Sequence, residues 1–169
     1  SAYATSKLRA EQCCRVAYAR HGIPCTVLRL FNVYGPGQRT PFLIPHVVGS
    51  IADDKPFKLK MPEAIRDFVF VQDVALAFVA AVESQDRNFR VINIGSGRGT
   101  CISDLVAMIA RLLGKSPAWS ISGKRSSEVL SSVADIRRAR SELRWEPTVA
   151  LEEGLKVTCE SRQWSPASR

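Results

Sequence analysis

Short β-branched apolar runs alternate with helical stretches along this chain, and this alternation constrains the fold most. Residues 25–30 (CTVLRL), 67–71 (DFVFV) and 91–94 (VINI) have the composition of strands, and 25–30 reads as a buried one. The helical stretches that follow them are residues 42–53, 74–83 and 102–113. A last strand is predicted at 119–122, with helices near 135–144 and 150–163. Strands alternating with helices predict an α/β fold with parallel strand pairing.

The chain opens inside a helical pattern. Residues 3–20 contain neither Gly nor Pro, and Gly22 and Pro24 end the helix. A doubly wound α/β domain normally begins with a strand and a phosphate-binding turn. We therefore expect this chain to be a truncated part of a larger domain.

The composition is typical of a cytoplasmic protein whose cysteine thiols are reduced. It has 169 residues, 46% of them hydrophobic, which is enough for a real core. No secretory signal opens it and no run of about 18 apolar residues occurs, so we expect no membrane association. The five cysteines are odd in number and lack CxxC spacing. This argues against a disulfide framework and against a metal site.

The net charge of +8 indicates attraction to anions. The densest basic run is Arg137-Arg138-Ala139-Arg140, in a short predicted helix, and no aromatic residues interleave with it. A solvated helix face explains this run better than a nucleic-acid site. A phosphorylated metabolite remains the favoured anionic partner.

Tyr3 and Lys7 form a Y-x-x-x-K pair at the start of the first helix. One turn of helix separates them, which places their Cβ atoms about 5–6 Å apart on one face. An ammonium beside a phenol favours the phenolate, the form in which a tyrosine acts as a base. Alternatively, Tyr3 is half-buried and Lys7 pairs with Glu11.

Five segments give the pair a context: YATSKLRAEQ, LRLFNVYGPGQ, IRDFVFVQDVALAF, VINIGSGRGTCISDL and KRSSEVLSSVADIRRARSELRWEPTVALEEGL. In order and spacing they resemble the extended short-chain dehydrogenase/reductases, specifically the NAD-dependent nucleotide-sugar epimerases and dehydratases. The resemblance covers nearly the whole chain and implies the C-terminal half of such an enzyme. Residues 1–35 and 65–90 would then be the remnant of the Rossmann-like dinucleotide-binding domain. Residues 36–64 and 91–169 would form the smaller nucleotide-sugar (substrate) lobe.

The resemblance also implies roles at the cofactor and the sugar. Tyr3 matches the base that takes the proton from the sugar 4-hydroxyl. Lys7 matches the lysine that holds the nicotinamide ribose of NAD, and Phe31 matches a residue near the nicotinamide.

Three further residues match the substrate site of the family. Asn32 matches a residue that hydrogen-bonds the nucleotide diphosphate, and Arg66 and Arg125 match two arginines that clamp it. Guanidinium suits this task because its rigid donor fork binds phosphate bidentately. From the residues alone, Asn32 could form an Asx turn, Arg66 could pair with a nearby aspartate, Asp67 or Asp73, and Arg125 could be a solvated loop charge.

The chain departs from the family pattern in two places. Gly95, Gly97 and Gly99 follow a strand, but position 100 is Thr, so G-x-G-x-x-G fails and a structural turn is predicted. The loop 60–64 (KMPEA) replaces the usual Gly-x-Gly before the RDF segment. The sequence therefore does not specify which sugar is preferred.

The family's phosphate-binding G-x-x-G-x-x-G turn would lie upstream of Tyr3. We therefore expect this chain alone to bind NAD weakly or not at all. The C-terminal run favours a UDP-sugar 4-epimerase-like reaction. The alternatives are a nucleotide-sugar 4,6-dehydratase and an inactive fragment or binding module. The expected partners are a nucleotide sugar, preferably a UDP-sugar, and either a second copy of the chain or the missing N-terminal half.

Overall fold

The computed structural model of this chain describes residues 2–122 and 129–161. The helices in this part are α1 (Ala2–His21), α2 (Leu43–Ala52), α3 (Val71–Glu83), α4 (Ile102–Leu113), α5 (Arg137–Leu143) and α6 (Leu151–Glu160). The strands are β1 (Thr26–Leu30), β2 (Asn32–Tyr34), β3 (Phe57–Leu59), β4 (Ile65–Phe70), β5 (Arg90–Ile94), β6 (Gly99–Cys101), β7 (Trp119–Ile121) and β8 (Ser131–Ser132).

The strands pair mainly in parallel, as expected. β1 pairs with β5, β2 and β8 both pair with β4, and β3 pairs with β7, all in parallel. β6 instead runs antiparallel to β4. The α/β prediction is confirmed. The strands β2, β3, β6 and β8 were not predicted. Each has two or three residues, which carry little periodicity, and among the described strands of that length only β7 was predicted.

β4 separates two hydrophobic clusters, since successive side chains of a strand point to opposite faces. Phe68 and Phe70 pack into the cluster formed with α2, α4 and α6. Val69 packs into the other, with β5, α3 and α5. β4 is therefore held firmly from both sides, which matters because it also carries Arg66.

None of the residues of helix α1 is buried, and α1 contacts the segment that precedes β5. Tyr18 donates a hydrogen bond to Asn88 Oδ1 at 3.0 Å, and Arg15 stacks over Phe89. The prediction that residues 25–30 form a buried strand was wrong in its burial. Within the described strands β1 pairs with β5 alone, so Leu30 remains 41% exposed.

Candidate functional site

α1 runs antiparallel to β1, which brings the start of the helix to the carboxyl end of the strand. Tyr3, Lys7 and Leu30 line one groove of ≈ 610 Å³ there, and Cys14 and Val27 line the same groove further along. Ligands of open α/β sheets bind beyond the carboxyl ends of parallel strands. Tyr3 therefore lies where such a ligand would be expected.

Lys7 lies beside Tyr3, as the one-turn spacing predicted. Its Nζ is 5.4 Å from the centroid of the Tyr3 ring, and 72% of Tyr3 is exposed toward the groove and solvent. The alternative pairing of Lys7 with Glu11 was wrong. Glu11 instead accepts two hydrogen bonds from the guanidinium of Arg29, both at 2.9 Å.

Phe31 follows β1 directly. Its backbone N–H donates to the carbonyl of Ile94 at 2.9 Å, and its half-buried ring packs against the cluster on the β5 side of β4. Phe31 thus lies at the carboxyl ends of β1 and β5. Its ring supports the core, and its contact with a nicotinamide stays a prediction.

Asn32 and Arg66 lie on neighbouring strands, where Asn32 is paired with Phe68. Asn32 Nδ2 donates to the backbone carbonyl of Asp67 at 2.8 Å. This cross-strand bond replaces the Asx turn that the Gly-Pro loop suggested. Arg66 Nη1 donates to the carbonyls of Ile65 and Leu130, at 2.9 and 3.3 Å.

Sequence reasoning considered Asp67 as a partner of Arg66 and missed what it does. Its carboxylate is fully buried and accepts hydrogen bonds from Ser96 N (2.6 Å), Ser96 Oγ (2.7 Å), Gly97 N (2.9 Å) and Ala134 N (3.0 Å). Asp73, the other suggested partner of Arg66, accepts hydrogen bonds from Thr148 and Val149. A charged residue inside an apolar strand was the available signal, since a buried charge requires donors.

The Gly-rich turn after β5 is a structural turn, as predicted. Gly97 has φ +71°, in the left-handed region that glycine adopts readily. The N–H groups of Ser96 and Gly97 point to Asp67. These donors are already used, so this turn does not present them to a pyrophosphate.

The basic run on α5 is neutralised locally. Arg137 pairs with Asp135 and lowers the pKa of that carboxyl to about 2 by its hydrogen bonds. Arg138 pairs with Glu142, and Arg140 lies 3.4 Å from Glu146. These contacts fit a solvated helix face, the interpretation favoured from sequence.

Other expectations concern metals, membranes and Arg125. Among the residues that the structure describes, no group of three His, Cys, Asp or Glu side chains could hold a metal ion. Within the same ranges, no helix is both long and apolar enough to cross a membrane. Arg125 lies outside the described residues, so its role stays a prediction.

Residues 1–95 match the NAD dependent epimerase/dehydratase family. The chain belongs to this family. It is 31% identical over 160 residues to UDP-glucuronate 4-epimerase of Thermodesulfobacterium geofontis, an alignment covering 94% of this chain and 49% of that protein. The chain thus spans about half the length of the relatives that it matches.

Two solved structures extend this finding to the fold. MoeE5, solved with UDP-glucuronic acid and NAD, is 33% identical with a TM-score of 0.90, over 97% of this chain and 55% of MoeE5. UDP-glucuronic acid 4-epimerase from Bacillus cereus, solved with UDP-glucuronic acid and NAD, is 32% identical with a TM-score of 0.89. That match covers 95% of this chain and 52% of the Bacillus protein. The Rossmann-like family fold is therefore confirmed. The assignment to the C-terminal half and the division into two lobes stay predictions.

The family uses NAD, and one end of that cofactor fits the residues described here. Tyr3 and Lys7 share an open groove, and a lysine ammonium there can donate to ribose hydroxyls. The donors of the Gly-rich turn at Gly97 are held by Asp67. The groove therefore has a donor suited to a nicotinamide ribose, whereas the N–H groups of Ser96 and Gly97 are not free for the pyrophosphate.

Proposed function

We propose that this chain is the proton-transfer and substrate-binding part of an NAD-dependent nucleotide-sugar epimerase that acts on UDP-sugars at C4. One observation carries the proposal. Tyr3 and Lys7 open into a groove at the carboxyl end of β1, and Asn32 begins the next strand two residues after that end. This supports the proposal because it brings a candidate base and a candidate phosphate-binding amide to the same edge of the fold.

The chemistry assigned to Tyr3 is proton removal from the sugar 4-hydroxyl. The ammonium of Lys7 lies over the Tyr3 ring, 5.4 Å from its centroid, and so places a positive charge beside the group to which this step is assigned. NAD, when bound, supplies the hydride acceptor and donor at C4. The configuration would invert when hydride returns to the opposite face of C4, and Tyr3 would then return the proton to the 4-oxygen.

Binding of the diphosphate is assigned to Asn32, Arg66 and Arg125. Asn32 can keep its bond to Asp67 through Nδ2 and still offer its second Nδ2 proton to a phosphate oxygen. Arg66 is half-buried and uses Nη1 for backbone carbonyls. Its remaining guanidinium N–H groups can bind phosphate bidentately.

The relatives also bear on what this chain can do alone. They are about twice as long, and the N–H groups of Ser96 and Gly97 in the Gly-rich turn are already bonded to Asp67. We infer that residues matching the rest of the relatives supply the pyrophosphate site. The isolated chain should then bind a UDP-sugar but bind NAD weakly, and it should not catalyse turnover of the UDP-sugar.

A two-part experiment tests the function. Calorimetry should show UDP binding to the isolated chain. Joined to the part of the Thermodesulfobacterium relative that it does not match, the chain should interconvert a UDP-sugar and its C4 epimer when NAD is present. A joined protein that folds and binds NAD and UDP but leaves C4 unchanged would refute the epimerase assignment.

A further inference from the structure

Asp67 connects the two candidate diphosphate residues that the structure describes. Its backbone carbonyl accepts the Nδ2 hydrogen bond of Asn32 from β2. Arg66 precedes it on β4, and its guanidinium reaches the carbonyl of Leu130. The Asp67 carboxylate holds Ala134 N, four residues beyond Leu130. Asn32 is therefore positioned by the Asp67 carbonyl, and Arg66 by the 130–134 segment that the Asp67 carboxylate holds.

The carboxylate fixes the orientation of β4 at this point. Its four donors come from the turn at Ser96 and Gly97 and from Ala134, all on one side of the strand. Because strand side chains alternate, holding Asp67 on this face directs Arg66 to the opposite one. A carboxylate satisfied by four donors also does not compete with a phosphate for the Arg66 guanidinium.

We propose that Asp67 is a positioning residue for nucleotide-sugar binding, acting through Asn32 and Arg66. This rests on the proposed function of the site. Loss of the carboxylate would release the 96–97 turn and the 130–134 segment. Asn32 and Arg66 would then lose the fixed geometry with which they meet the diphosphate.

The chain offers a matched control for this test. Asp73 is 1% exposed, and its carboxylate also accepts three hydrogen bonds from a loop, at Thr148 and Val149. Asp67→Asn and Asp73→Asn each replace a buried, fully bonded carboxylate by an isosteric amide. Both should lower the melting temperature. In this proposal, binding is selectively affected by Asp67→Asn.

UDP binding by calorimetry, at a temperature where all variants are folded, separates the two roles. Asp67→Asn should weaken UDP binding roughly tenfold, the scale of one lost charged hydrogen bond, and Asp73→Asn should change it less than about twofold. Asp67→Asn should also weaken binding less in the Arg66→Ala background than in the wild type, since part of its effect acts through Arg66. Equal losses for both aspartate variants, or no loss for Asp67→Asn, would overturn the proposal. If Asp67→Asn does not fold, Ser96→Ala removes one of the four donors and should weaken UDP binding in the same direction.

A second measurement keeps this proposal separate from the proposed function. The side-chain amide signals of Asn32, observed by NMR without ligand, should shift in Asp67→Asn and stay in place in Asp73→Asn. If the wild-type chain does not bind UDP, the proposed function fails while this measurement still decides the positioning. Unshifted Asn32 signals in Asp67→Asn would refute it.

Discussion

The carboxylate of Glu11 on α1 accepts two hydrogen bonds of 2.9 Å from the guanidinium of Arg29 on β1. The Glu11 side chain is 12% exposed and that of Arg29 52%. α1 buries no residue, so this pair is a main contact between the helix and the sheet. It also directs Glu11 away from Lys7.

Glu11→Gln should lower the free energy of unfolding by about 1 kcal/mol, the upper range for a partly exposed pair. Hydrogen exchange of the α1 amides should accelerate as well, because the helix loses a tie to β1. Glu152→Gln is the control, since its partner Arg111 lies at the same 2.9 Å and both side chains are more than half exposed. Equal effects of the two variants in chemical denaturation would contradict this account.

The sequence predicted the helices and the longer strands, because each has a clear periodicity or apolar run. It failed where partners distant in the chain decide. The exposure of residues 25–30 depends on which strand lies beside them, and periodicity does not specify that. Asp67 shows the same limit, since its donors lie 29, 30 and 67 positions away. The sequence suggested Asp67 only as a partner of Arg66, and it predicted neither the burial of the carboxylate nor the donors that satisfy it.

Gly154 on α6 packs directly against the core. A methyl group there would collide with the hydroxyl of Tyr34 and lie 2.8 Å from Phe70 Cδ2. Alanine gains about 1 kcal/mol in helix propensity. The collision costs about 1–3 kcal/mol, and Tyr34, 2% exposed, has little room to move.

We therefore expect Gly154→Ala to destabilise the protein despite the better helix former, as a lower denaturation midpoint. Tyr34→Phe alone should cost about 1 kcal/mol, because it removes the hydrogen bond to the Leu151 carbonyl. In the double variant the colliding oxygen is gone. Its loss of stability should be smaller than the sum of the single losses, and strict additivity would show that the collision is absent.

Tyr3→Phe tests the proton transfer. In a protein joined to the remaining half of a relative, it should reduce turnover by roughly 10²–10⁴-fold, the usual contribution of a general base. The melting temperature should be unchanged, because Tyr3 is 72% exposed. Tyr18→Phe is the control on the same helix, since its hydroxyl contacts Asn88. Near-normal turnover of Tyr3→Phe would remove Tyr3 from the role of base.

Arg66→Ala and Arg125→Ala test the diphosphate clamp. Each should weaken UDP binding by roughly 1.5–3 kcal/mol, the scale of a charged hydrogen bond. Arg111→Ala, on α4, should have no effect, which excludes a general consequence of lower net charge. Unchanged UDP affinity of either variant, measured by calorimetry, would exclude that arginine from the site.

The isolated chain should self-associate through α1 and β1. Leu8 and Val16 of α1 are 52% and 48% exposed, and the outer edge of β1 is unpaired within the described residues. Exposed edges and apolar patches of this kind recruit other chains. Light scattering should therefore show a dimer or larger species at micromolar concentration. Leu8→Lys should shift it toward the monomer, whereas Val157→Lys on α6, which is 43% exposed in the parent, should not. A wild-type chain that stays monomeric at all accessible concentrations would refute this expectation, and equal responses of the two variants would place the contact elsewhere.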